Sequence, residues 1–181
     1  MKILIVYYSK TGKTKEIAHT MANELANGNE VNPALPKKYK LSEARKGGVK
    51  LRRIKMKNER NLLTTYLLDA KKAIRREKPE IEVLNYDHKD YDLILLGTPV
   101  WSANPAPAIN TYLNRADFEN KKVALFVTLR MMGGEKVIGI LMEEIEKKGG
   151  KIIDSIIIKT GLFHKKEMIE KAKEFAKKLK S

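Results

Sequence analysis

Cysteine is absent from this 181-residue chain. That excludes disulfides, thiolate zinc sites and cysteine nucleophiles. Histidine is scarce, and His19, His88 and His164 are scattered along the sequence, so no metal site is expected. No stretch of about 18 apolar residues occurs, so no membrane span is expected. No signal-peptide pattern precedes the first apolar run at Ile3, and a cytoplasmic protein is the simple expectation. Acidic residues are few: 22 Asp+Glu stand against 37 Lys+Arg, a formal net charge of +15.

The acid shortage is local. Residues 36–78 hold 16 Lys+Arg and 4 Asp+Glu, a net of +12, which leaves +3 for the rest of the chain. The basic character therefore belongs to one insertion-like segment. Clustered cations attract phosphates without sequence preference, but nucleic-acid binding also draws on aromatic rings. Only Tyr39 and Tyr66 interleave here, which disfavours nucleic acid as the partner.

Glycine is missing where two common phosphate motifs need it. Ile3, Leu4, Ile5 and Val6 form an apolar run typical of a strand buried on both faces. Ser9-Lys10-Thr11-Gly12-Lys13-Thr14 follows, then a helical pattern through Ile17, Ala18, Met21 and Leu25. The nucleotide-triphosphate loop requires glycine where this chain has Tyr7, and the dinucleotide fingerprint requires three spaced glycines where this loop has one. What remains is a hydroxyl-lined loop suited to a lone phosphate monoester. The helix start offers unpaired N–H groups and partial positive charge. Ser9, Thr11 and Thr14 add hydroxyl donors. Taken alone, the loop reads equally well as an ordinary helix cap.

A second apolar strand pattern, residues 91–101, ends in a Gly/Pro turn, Gly97-Thr98-Pro99-Val100-Trp101, which holds the only tryptophan. A small-residue loop, 102–107, leads to a helix with Ile109, Tyr112 and Leu113 on one side. The carboxyl ends of parallel strands are where α/β folds bind ligands, and an indole ring there can stack on a planar cofactor. Taken singly, Trp101 reads as a half-buried packing residue. A third strand, 123–127, runs into Thr128-Leu129-Arg130-Met131-Met132-Gly133-Gly134.

The remaining pattern alternates strands and helices. Residues 49–56, with Lys and Arg interleaved, form the best candidate for the second strand, at a sheet edge. Residues 61–76 have helical spacing, with Leu63, Leu67, Ala70 and Ile74 inward. Residues 134–148 read as a helix stopped by Gly149-Gly150, and a last strand runs through Ile152, Ile153 and 156–158. Residues 164–179 form an amphipathic helix with Met168, Ala172, Phe175 and Leu179 inward. Such alternation predicts an α/β fold with a parallel sheet and helices on both faces.

On the two motifs at residues 9–14 and 97–101 together, the chain resembles the flavodoxin family, especially small microbial flavodoxin-like proteins. The resemblance covers most of the chain and is weakest at about 31–57. It implies a single domain over residues 1–181, a three-layer sandwich whose five-stranded parallel sheet has the order 2-1-3-4-5, with the basic segment 36–78 as an insertion. It also implies FMN as cofactor. Ser9, Thr11 and Thr14 take its phosphate through their hydroxyls, with the N–H groups of Lys10, Thr11, Gly12, Lys13 and Thr14. The Lys10 and Lys13 side chains add charge or face solvent. Thr98, Pro99, Val100 and Trp101 line the isoalloxazine, with Ala103 and Asn104 at its edge. Thr128, Leu129 and Arg130, with Gly133 and Gly134, close the other side. There the family often has an aromatic ring, and this chain has Met131 and Met132.

FMN performs the redox chemistry itself, so no catalytic residues are expected. The resemblance implies an electron-transfer carrier. An FMN-dependent NAD(P)H:quinone-type oxidoreductase is the alternative, and a basic binding module for nucleic acid or an acidic protein is a more distant one. A carrier so basic calls for an acidic redox partner, a ferredoxin or a reductase. The chain itself is expected to be a monomer or homodimer.

Overall fold

The computed structural model describes residues 1–26, 48–57, 74–84, 87–161 and 165–180. The first apolar run becomes strand β1, Ile3–Tyr8, buried along its whole length. Its side chains alternate between the sheet faces, as the strand period of two requires. Leu4, Val6 and Tyr8 enter one core and Ile3, Ile5 and Tyr7 the other.

The other strands assemble around it. They are β2 (Val49–Ile54), β3 (Leu93–Trp101), the two-residue β4 (Asn104–Pro105), β5 (Lys122–Leu129) and β6 (Lys151–Lys159). The sheet order is β2-β1-β3-β5-β6, with β4 paired to β3. Setting β4 aside, the five remaining strands run parallel in the expected 2-1-3-4-5 order. Helix α1 (Lys13–Leu25) and α4 (Lys165–Lys178) cover one face through Ile17, Met21, Met168 and Phe175. Helices α2 (Pro107–Arg115) and α3 (Gly134–Glu146) cover the other through Ile109, Tyr112, Val137 and Leu141. At the end of α3, Gly149 adopts φ 75° and the Gly150 N–H returns to the Ile145 carbonyl at 3.0 Å, so the paired glycines do stop the helix.

Two expectations need correction. β3 does not end in a turn at Gly97-Thr98-Pro99. It runs on through Trp101, and the turn is Ser102–Ala103, which joins β3 to β4 with Trp101 opposite Asn104. Both turn residues have positive φ, 48° and 54°. That is the two-residue hairpin geometry matching strand twist, and it favours Asn-Gly over Ser-Ala. The second correction concerns Ile74, which is 61% exposed and does not point into the core. The rest of the expected helix 61–76 lies mostly outside the described residues.

The end of the basic segment is tied to the other helix layer. Thr111 Oγ1 donates to the Pro79 carbonyl at 2.7 Å, and Lys78 Nζ donates to Asn114 Oδ1 at 2.9 Å, both on α2. Residues 55–57 pair antiparallel with 80–82, where Lys55–Glu82 and Lys57–Glu80 form exposed ion pairs at 3.4 and 3.3 Å.

Candidate functional site at the carboxyl ends of three strands

Parallel register brings the ends of β1, β3 and β5 side by side. Tyr7 pairs with Gly97, Gly97 with Phe126, and Pro99 with Thr128. The three loops that follow therefore open at one end of the sheet.

The first loop has the chemistry to cradle an anion. Gly12 stands at the helix boundary with φ 87°, a conformation open to glycine at little cost, and it brings no side-chain cap. Its carbonyl accepts from the Glu16 N–H at 2.9 Å. The N–H groups at the start of α1 have no partner in the helix. A Cβ built on Gly12 would meet nothing within 4 Å, so the space over the loop is open. Ser9 is 2% exposed, and its Oγ has no hydrogen-bond partner among the described residues. Leaving a hydroxyl buried and unmatched costs about 1–3 kcal/mol. A ligand acceptor at this loop removes that cost.

Thr14, also buried, links the first loop to the third. Its Oγ1 lies 2.8 Å from Thr128 Oγ1 across 114 residues of sequence. Whichever hydroxyl donates, the other keeps a proton for a third group. Thr11 is exposed at the rim.

Trp101 connects the first loop to the second. It is half-buried, meets Tyr8 edge-on with centroids 5.6 Å apart, and has Lys10 Nζ 5.5 Å from its ring centroid. The third loop closes against the second: a Cβ on Gly133 would fall 2.8 Å from the Ala103 Cβ. Arg130, Met131 and Met132 are exposed at its tip, the two methionines at 78% and 76%.

Some of the expected contact residues also brace the loops. Thr98 is fully buried; its hydroxyl donates to the Pro99 carbonyl at 3.0 Å and accepts from the Ala106 N–H at 3.1 Å, fixing the hairpin to the start of α2. Asn104 Nδ2 donates to the Ser102 carbonyl at 2.8 Å and holds the strained turn. Leu129 is buried, with its carbonyl taken by the Thr160 N–H and Oγ1. Gly134 is buried where a Cβ would strike Ile157, so it seats α3 on β6.

One residue beside the first loop carries no signal in the sequence pattern. Arg53, on edge strand β2, sends Nη2 to the Ser9 carbonyl at 2.8 Å. Beside it, burial raises the Tyr7 hydroxyl to about 12, with Arg53 pulling the other way. Tyr7 also packs edge-on to His19, whose pKa is lowered by burial and then by Lys15. His88 sits 2.6 Å from the Tyr112 hydroxyl at the other end of the sheet. Among the described residues, no group of three or more His, Asp or Glu is placed to hold a metal.

The family model for flavodoxins matches residues 2–171. The chain belongs to the flavodoxin family. FMN is the cofactor that goes with this family, and the open, uncapped loop with its unmatched Ser9 hydroxyl fits a phosphate monoester. Solved structures agree on the fold. A flavoprotein from Lactobacillus acidophilus in complex with FMN is 26% identical, with TM-score 0.64, over 86% of this chain and 92% of that one. An oxidised flavodoxin 2 from Bacillus cereus is 21% identical, with TM-score 0.58, over 97% and 95%. A flavodoxin from the domain Archaea is 15% identical, with TM-score 0.54, over the whole of both chains. No curated protein matches the sequence.

Proposed function

We propose that this flavodoxin binds one FMN per chain and serves as a cytoplasmic electron carrier for an acidic redox partner. The observation that carries the reading is the convergence of three loops at one sheet end. One of them is an uncapped helix start with a buried, unmatched hydroxyl. The complex of the Lactobacillus acidophilus flavoprotein with FMN supports the choice of cofactor. FMN, when bound, supplies the electron-transfer chemistry.

The chain's own groups bind and orient. Ser9, Thr11 and Thr14 offer hydroxyls to the phosphate, and the α1 N-terminus adds partial positive charge. Trp101 offers one aromatic wall, fixed by Tyr8 behind it. The exposed Met131 and Met132 offer soft, polarisable contacts beside the third loop. Arg130 places a cation at the same tip.

Charge sets the partner. Arg75 and Arg76 are exposed, and Arg52 lies on the edge strand, donating to the neighbouring Leu51 carbonyl at 3.0 Å. All three lie outside the loop residues 9–14, 97–104 and 128–134. A basic surface speeds encounter with an acidic protein, and salt screens that attraction over about 10 Å at 0.1 M. Reversing Arg52, Arg75 and Arg76 to Glu is expected to leave FMN affinity within about twofold while slowing reduction of an acidic ferredoxin roughly tenfold at low salt. Stopped-flow rates across a salt series read this, and the variant's rates should lose most of their salt dependence. Unchanged rates would remove the segment from partner choice. The reductase alternative is separated by direct assay: the FMN-loaded chain should not oxidise NADPH with a quinone as acceptor, and steady turnover would favour the enzyme.

A further inference from the structure

Arg53 belongs by sequence to the basic segment, yet its geometry puts it at the cofactor loop. The β1–β2 register sets it opposite Tyr7, on the face covered by α1 and one strand away from the loop. Its Nη2 holds the carbonyl of Ser9, the residue that opens the cradle and whose own hydroxyl is buried and unmatched. We propose that Arg53 is the fixed cation of this cradle and sets the preference for FMN over riboflavin. The proposal rests on reading residues 9–14 as the FMN phosphate site.

Three observations favour Arg53 over the lysines of the loop itself. Lys10 Nζ is drawn over the Trp101 ring at 5.5 Å. Lys13 Nζ is 3.7 Å from Glu16, and its side chain is 39% exposed, where water weakens its field. Arg53 is partly buried and anchored through a hydrogen bond to the loop backbone. A guanidinium is planar and permanently charged, and its bonded N–H holds that charge at the loop backbone. Its neighbour Tyr7, with a hydroxyl pKa of about 12, remains neutral at ordinary pH and does not offset the charge. An anchored cation therefore stands beside donors that are otherwise neutral. Its field acts on the phosphate and leaves a ligand without one nearly untouched.

The test uses the intact apoprotein and equilibrium dialysis of FMN and riboflavin. Wild type is expected to prefer FMN. Arg53→Gln should weaken FMN about tenfold and riboflavin less than about twofold, and should flatten the salt dependence of FMN binding. Arg53→Lys, which restores the charge on a flexible stem, should recover most of the loss. A wild-type preference for FMN that survives unchanged in Arg53→Gln overturns the role of Arg53 alone. Equal losses for the two ligands in both variants also overturn it, since they would mark Arg53 as a support of the fold. Equal binding of FMN and riboflavin by wild type overturns the phosphate reading, and the proposal with it.

Discussion

A chain carrying both Thr11→Ala and Thr14→Ala is expected to bind FMN about 100-fold more weakly than wild type, while riboflavin affinity changes little. A hydrogen bond to a charged group contributes roughly 1.5–3 kcal/mol, so two of them at the lower limit account for the loss. The two threonines differ in setting. Thr11 is exposed at the rim, and its removal costs the fold little. Thr14 is buried against Thr128, and its removal leaves the Thr128 hydroxyl without its 2.8 Å partner. That second cost falls on the stability of the folded chain, whichever ligand is present. The difference between FMN and riboflavin therefore isolates the phosphate contribution. Isothermal titration of both ligands reads it, and equal losses would refute the phosphate assignment.

Gly97→Ala is expected to lower stability by about 3 kcal/mol or more, a fall in Tm of about 10 °C. Gly97 lies in the middle of the sheet, opposite Phe126. A Cβ there would come within 2.0 Å of Phe126 Cζ, and Phe126 is fully buried between the sheet and the α1–α4 layer. The ring has no empty space to enter, because protein interiors are close-packed. Phe126→Leu in the same chain removes the obstructing atoms, so the double variant should regain much of the loss. Thermal melts of the three chains test this. A single variant that melts with wild type would show that β3 and β5 are less closely fitted than described.

These two variants divide what the sequence discloses from what it conceals. Gly97 and the residues after it were legible as the end of a buried strand, because apolar runs such as Leu93 to Leu96 appear when a strand is covered on both faces. The parallel order followed from strand–helix alternation and the family motifs, and the position of the three loops followed from the order. Thr14 was legible as a loop hydroxyl, but its bond to Thr128 was not, since 114 residues separate them. Arg53 stayed hidden for a related reason. Among Lys50, Arg52 and Lys55 it looks like one more solvated cation on an edge strand. Only the pairing of Tyr7 with Arg53 shows that it reaches the first loop. The β3–β4 hairpin was equally silent, because Ser102-Ala103 lacks the Asn-Gly signature that its backbone geometry favours.

The most direct test of the account is a titration of the apoprotein followed by tryptophan emission. Trp101 is the only tryptophan, so its signal has one source. With FMN, strong quenching that saturates at one ligand per chain is expected, because stacking and energy transfer both act at short range. FMN should also bind more tightly than riboflavin, which lacks the phosphate, and more tightly than FAD, whose pyrophosphate exceeds a monoester cradle. Emission that stays constant at saturating FMN, or tighter binding of FAD, would contradict a phosphate held at residues 9–14 with the flavin against Trp101.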